Sequence, residues 1–193
     1  MWADARRAFL LLVFACAAAS DAARASDPLH IGTPRGTLDF SIGDSRIFRT
    51  TGSFKEWIGQ VVVDDVDIPR SRVDVTVRTA SVSMLDAQQT SMMKEPDFFH
   101  VAQFPEMIFR SRSVTRTGAS TLKVEGDITL RGITRPMQLD VVVSDLKTDA
   151  PLGARYARFR VTGKIKRSEF GMTKYIDVVG DTVDIAIRTD AWR

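Results

Sequence analysis

The chain has 193 residues, 44% of them apolar and 26% charged, with a formal charge of +3 at pH 7. That is the balance of a globular protein with a buried core, not of a disordered or fibrous one. The basic residues are dispersed, which excludes a nucleic-acid footprint, and a single cysteine excludes a disulfide framework or a cysteine metal site.

Residues 1–25 have the layout of a secretory signal. Arg6-Arg7 precede an apolar run from Ala8 to Ala19, and Ala23-Arg24-Ala25 supplies a small-residue cleavage pattern before Ser26. The run is too short to span a bilayer. Cleavage near Ala25 would remove three arginines and two aspartates and leave a charge of +2 on the mature chain. Cys16 would be lost with it. Val13-Phe14-Ala15-Cys16 also loosely matches a lipoprotein processing box, but the bulky Phe14 weighs against that reading. A soluble periplasmic or secreted protein is expected.

Residues 26–36, broken by Pro28, Gly32 and Pro34, read as a linker, so the folded domain is expected over 37–193. Leu38, Phe40 and Ile42 alternate with polar residues, and Ile47, Phe48 and Phe54 follow, with Gly52-Ser53 read as a bend or bulge. Strand patterns continue through Trp57 to Val63 and Arg72 to Val82. Met84 to Lys94 is different: its unbranched residues and the following Glu95-Pro96 predict a short helix that proline ends. Strands resume over Met107–Val114, Leu122–Leu130 and Met137–Val143. Beyond a loop from Asp149 to Gly153, Phe159, Val161, Gly163 and Ile165 face one way while Arg158, Arg160, Thr162 and Lys164 face the other. Val183, Ile185 and Ile187 repeat that alternation. A period of two with frequent turn signals predicts about eight antiparallel strands, dry on one face, in a sandwich or closed barrel.

Four pieces then stand in order: Pro96-Asp97-Phe98-Phe99; Phe104-Pro105 with Phe109 and Ser111; Gly126 with Thr129-Leu130-Arg131-Gly132-Ile133-Thr134-Arg135-Pro136; and Arg167-Ser168-Glu169-Phe170-Gly171-Met172. In this order and spacing the chain resembles the YceI-like family of exported lipid-binding proteins, over about Leu38 to Ala191. The resemblance implies an all-β fold: an extended, antiparallel, eight-stranded, lipocalin-like β-barrel with a short helical excursion. It also implies a lumen holding a polyisoprenoid or similar apolar chain, and no catalytic activity. The chain departs from the family pattern in two places. Gln88 to Lys94 lacks an Arg-Asp pair and a His-Leu, and Gly43 to Arg46 lacks a histidine.

The candidate lumen lining is the aromatic and methionine set Phe40, Phe48, Phe54, Trp57, Met92, Met93, Phe98, Phe99, Phe104, Phe109, Phe170 and Met172. Such side chains make a deformable apolar wall, although any one of them is more often plain core. Phe98-Phe99 reads as a clamp on the helical excursion in preference to a gate. Arg167 is the candidate head-group contact, since arginine binds phosphate and carboxylate bidentately. With Glu169 it reads more simply as a surface ion pair of little energetic weight. His30 and His100 have no partners at metal-ligand spacing, and no hydrolase or phosphate-loop motif is present, so no metal, cofactor or catalysis is expected. The expected partner is an isoprenoid-like lipid or other long apolar ligand, with transient membrane contact and no nucleic acid. The alternative is a barrel filled by its own side chains that works through its basic faces, around Arg158 and Arg160, on a membrane surface or a partner protein.

Overall fold

The computed structural model describes residues 28–43, 49–64, 67–149 and 154–192. The signal over 1–25, Cys16, the Asp44-Ser45-Arg46 segment and Phe48 lie outside the described residues. Within them, eleven antiparallel strands form one curled sheet: β1 (Leu29–Gly32), β2 (Gly36–Ile42), β3 (Thr50–Phe54), β4 (Trp57–Val62), β5 (Arg72–Arg78), β6 (Val82–Met84), β7 (Glu106–Arg116), β8 (Thr121–Leu130), β9 (Ile133–Asp149), β10 (Ala154–Lys166) and β11 (Thr182–Ala191). Two short helices interrupt it, α1 (Ala87–Met93) and α2 (Ile176–Val179). The spatial order is β1-β4-β5-β7-β8-β9-β10-β11-β2-β3-β6.

Eleven strands replace the expected eight for two physical reasons. β3 and β4 are halves of one strand broken at Lys55-Glu56, and β5 and β6 are halves of another broken by a 3-10 turn over Thr79–Ser81. The two breaks face each other. Lys55 N donates to the Ser81 carbonyl at 3.1 Å and Arg78 N to the Glu56 carbonyl at 3.0 Å, so the backbone stays paired while the sheet turns a corner. The remaining strand is β1, which corrects the linker reading of residues 26–36. Leu29 and Ile31 are buried, β1 pairs with β4, and His30 and Trp192 exchange backbone hydrogen bonds across to the end of β11.

The alternation legible in the sequence sets which side chains enter the lumen. On β8, Val124, Ile128 and Leu130 are buried while Glu125 is exposed. Bulges add twist where β7 meets β8, between Ser111 and Ser113, and where β9 meets β10, between Tyr156 and Arg158. The β8–β9 connection is a two-residue turn, Arg131-Gly132, with φ of 52° and 72°. Two positive φ values in succession mark the mirror-image turn that matches strand twist, and Gly132 accepts it without strain. The expected helix is shorter than Met84 to Lys94. Met84 ends β6, and Asp86 caps α1 by accepting from Gln89 N at 2.9 Å.

Inward glycines make room for large neighbours. Gly52 is regular strand, not a bulge: a Cβ there would lie 2.4 Å from the Phe40 ring and 2.6 Å from the Met84 sulfur. A Cβ on Gly126 would sit 2.3 Å from the Arg110 carbonyl oxygen and 2.7 Å from the Phe109 ring. Gly126→Ala therefore forces strand β7 to shift, and unfolding in urea should show a loss of about 1–3 kcal/mol, the usual cost of overpacking. An unchanged midpoint would mean that Phe109 and the β7 backbone are not held against this glycine.

Candidate functional site: two apolar chambers in line

All four sequence pieces meet at one end of the barrel. From the β8–β9 turn, Arg131 Nη1 donates to the Pro96 carbonyl at 2.7 Å and to the Phe98 carbonyl, tying down the loop after α1. The Arg131 guanidinium lies 5.9 Å from the centre of the Phe104 ring, and His100 meets the same ring edge-on at 5.7 Å. Thr79, fully buried at the corner, donates its hydroxyl to the Phe104 carbonyl at 2.7 Å. Lys174, in the segment after Met172, pairs with Asp97. This end of the barrel is thus fastened by polar contacts to backbone carbonyls. Arg131, the main fastener, stood in the sequence only as a member of the third piece, with no role of its own.

Beneath it the lumen holds two cavities. The outer chamber, of about 170 Å³, is walled by residues that include Phe40, Phe54, Met92, Met93, Phe98, Phe99 and Met172. Phe54 and Phe99 meet edge-on at 5.2 Å between ring centres, and Phe40 leans on both. The inner chamber, of about 110 Å³, is walled mainly by valines and isoleucines together with Trp57 and Phe109. The two have no lining residue in common. Along β10, Ile165 faces the outer chamber and Val161 and Phe159 the inner one, with Gly163 between. The same step recurs on β8, where Ile128 separates Leu130 from Val124. Buried Val77, Ile128 and Met137 stand at this level and line neither chamber, so they form a partition. Met137 is its flexible member. Its Cε lies 2.9 Å from where a Cβ on Gly163 would be, so the side chain rests on a bare backbone.

The candidate set thus divides. Seven members line the outer chamber and two the inner. Phe104 lies outside both, half-buried against His100 and Arg131, and Phe170 is solid core at 1% exposure. The partition residues Met137, Ile128 and Val77 are ordinary strand positions in the sequence, and nothing there marks their depth along the barrel.

Arg167 corrects the surface ion-pair reading. It is only 4% exposed and follows the last residue of β10. Its Nε donates to the Gly180 carbonyl at 2.9 Å, and Nη1 donates to the carbonyls of Met172 at 3.2 Å and Lys174 at 2.8 Å. The side chain thereby holds the loop carrying α2 over the outer chamber, which it also lines. Burial pushes the guanidinium below its ordinary pKa, and the carboxylate of Asp181 opposes that shift. Burial acts to raise the Asp181 carboxyl, but two hydrogen bonds from Ser168, with the positive charges of Lys166 and Arg167, together hold the group below the usual carboxylate range. Two buried side-chain nitrogens lack an acceptor among the described residues, Arg167 Nη2 and Trp57 Nε1, each on a residue that lines one of the chambers.

A family model described as the YceI-like domain matches residues 30–191. The protein called Protein YceI in Escherichia coli O157:H7 is 31% identical over 139 residues, 72% of either chain, and the Salmonella arizonae protein of that name gives the same values. Among solved structures, BcnA of Burkholderia cenocepacia superposes with a TM-score of 0.72 at 21% identity, covering 80% of this chain and 95% of its own. A Campylobacter jejuni YCEI protein gives 0.70 at 23%, covering 79% and 90%. A polyisoprenoid binding domain from Saccharophagus degradans gives 0.61 at 13%, covering 85% and 98%. The solved structures share this barrel; the matched length and the identity to the Escherichia coli protein place the chain in the YceI-like domain family.

Proposed function

We propose that this protein is an exported, non-catalytic carrier of an apolar lipid, with an isoprenoid-like chain threaded through both chambers. The observation that carries the reading is the pair of apolar cavities in line along the lumen. An unfilled cavity costs on the order of 24 cal/mol per Å³, so chambers of about 170 and 110 Å³ represent roughly 4 and 3 kcal/mol withheld from stability. Interiors are otherwise close-packed. Water is a poor occupant, because it needs several polar partners that these walls do not supply. Burying an apolar chain recovers the loss at about 25 cal/mol per Å² of apolar surface, before the cost of association. A structural neighbour described as binding polyisoprenoids supports the choice of chain, and the signal-like N-terminus supports export.

The filled-barrel alternative fares worse on two counts. The lumen is not filled, and on the basic face it relies on one of the two named arginines, Arg158, is already engaged. Arg158 Nε donates to Asp190 at 2.9 Å and its Nη1 to Asp145 at 3.2 Å.

Mass spectrometry of an organic extract, taken from protein produced from all 193 residues in an exporting host, tests the reading directly. A stoichiometric isoprenoid is expected. An empty extract even after polyprenols are offered during expression would overturn the carrier reading.

A cavity of about 150 Å³ admits a benzene-sized molecule, so neither chamber alone takes a long chain. Threading requires Met137 to swing off Gly163. Met137→Ala should therefore raise affinity for a long polyprenol several-fold while leaving that for benzene, small enough for one chamber, nearly unchanged. Equal effects on both, measured by displacement of an apolar fluorescent dye, would remove Met137 from the path.

A further inference from the structure

The chain has seven methionines, and apart from Met1 all of them gather around the outer chamber. Met84, Met92, Met93, Met107 and Met172 line it, and Met137 stands in the partition at its inner end. The inner chamber has none. Apolar bulk alone does not account for the division, since branched aliphatics wall one chamber as readily as methionines wall the other. The folded domain also holds no cysteine, because Cys16 lies in the signal-like segment. Its sulfur is all thioether, and it borders the space a cargo chain would occupy.

The six side chains differ in reach. Met84, Met107, Met137 and Met172 are buried, whereas Met92 and Met93 on α1 are half-buried at the edge of the wall. α1 has no buried residue, and Gln88 and Gln89 beside the two methionines are exposed. Phe99 N donates to the Met93 carbonyl at 3.0 Å, which seats Met93 beside the cluster of Phe40, Phe54 and Phe99.

We propose that Met92 and Met93 are an oxidative modification site whose reactivity is set by whether the lumen is loaded. This rests on the carrier reading above and adds a chemical control to it. The oxidant is hydrogen peroxide. A sulfur lone pair takes one peroxide oxygen as the O–O bond breaks, and the proton on that oxygen passes to the departing hydroxide. Sulfur is oxidised by two electrons to the sulfoxide, and the peroxide is reduced to water. The sulfoxide is polar where the thioether was apolar. Its oxygen faces a wall made mostly of aliphatic and aromatic carbon, where an acceptor without a partner weakens apolar binding. A bound chain covers the same sulfurs, so a loaded barrel resists the oxidant and an empty one loses its affinity.

The test treats the full chain, stripped of lipid or loaded with decaprenol, with hydrogen peroxide and maps sulfoxides by peptide mass spectrometry. Met92 and Met93 should oxidise first in the empty protein and several-fold more slowly in the loaded one. Affinity for decaprenol, read by displacement of an apolar fluorescent dye, should fall about tenfold, the size expected of one buried polar group left unpaired. Methionine sulfoxide reductases should restore it. The double variant Met92→Leu, Met93→Leu keeps the wall apolar and close in volume. It should bind as before and lose far less affinity on oxidation, with circular dichroism confirming the fold throughout. Sulfoxides at both positions with affinity unchanged, or equal oxidation rates with and without decaprenol, would overturn the proposal and leave the carrier reading standing. No binding of decaprenol or dye before oxidation would overturn both.

Discussion

The structure depends on one steric arrangement: inward glycines set beneath large side chains of neighbouring strands. Gly36 lies under Trp57, Gly52 under Phe40 and Met84, Gly126 under Phe109, and Gly163 under Met137 and Leu139. An eight-stranded barrel encloses a space that side chains can nearly fill. Each of these large side chains takes space that a Cβ would otherwise occupy, so the placement of glycines along the strands decides where bulky residues can be accommodated inside the barrel. The corner at Lys55-Glu56 and Thr79–Ser81 then sets how tightly the sheet curls around that space.

Much of this was legible in the sequence, because a half-buried strand advertises itself by a period of two. The alternation on the strands from Leu122 to Val143 and from Phe159 to Ile187 matches the inward rows of β8 to β11, and the proline after Glu95 ends the helix as expected. What periodicity cannot carry is depth along the barrel axis. Phe170 and Phe99 look alike in the sequence, yet one fills solid core and the other walls a chamber. Nor does it mark the two corners, where the inward phase slips by one residue between Phe54 and Trp57 and between Thr79 and Val82, and which account for two of the three added segments. The N-terminal segment misled for a different reason. Its proline and glycine content resembles a linker, while Leu29 and Ile31, too few for a pattern, are buried against β4.

Arg167 and Arg131 illustrate how differently one residue type can act within one site. Arg131 reaches from a turn and meets carbonyls of the Pro96–Phe99 loop at a partly exposed position. Arg167 does the same for the loop around α2, but from inside the core. Both spend guanidinium donors on backbone oxygens of loops that have no regular partners. The local consequence is a rim made rigid by hydrogen bonds above a wall made soft by methionine. A rim of this kind keeps its shape while the wall adapts to whatever chain enters.

The order in which the strands are joined carries a consequence for folding. β2 lies between β3 and β11, and β1 is bridged to the end of β11 through His30 and Trp192. The earliest strands to leave the ribosome therefore keep one open edge until the last strand has been made. Contacts this distant in sequence slow folding, and an unpaired edge in the meantime is a template for association with other chains. Such a chain gains from a partner that holds it extended until its C-terminus is free.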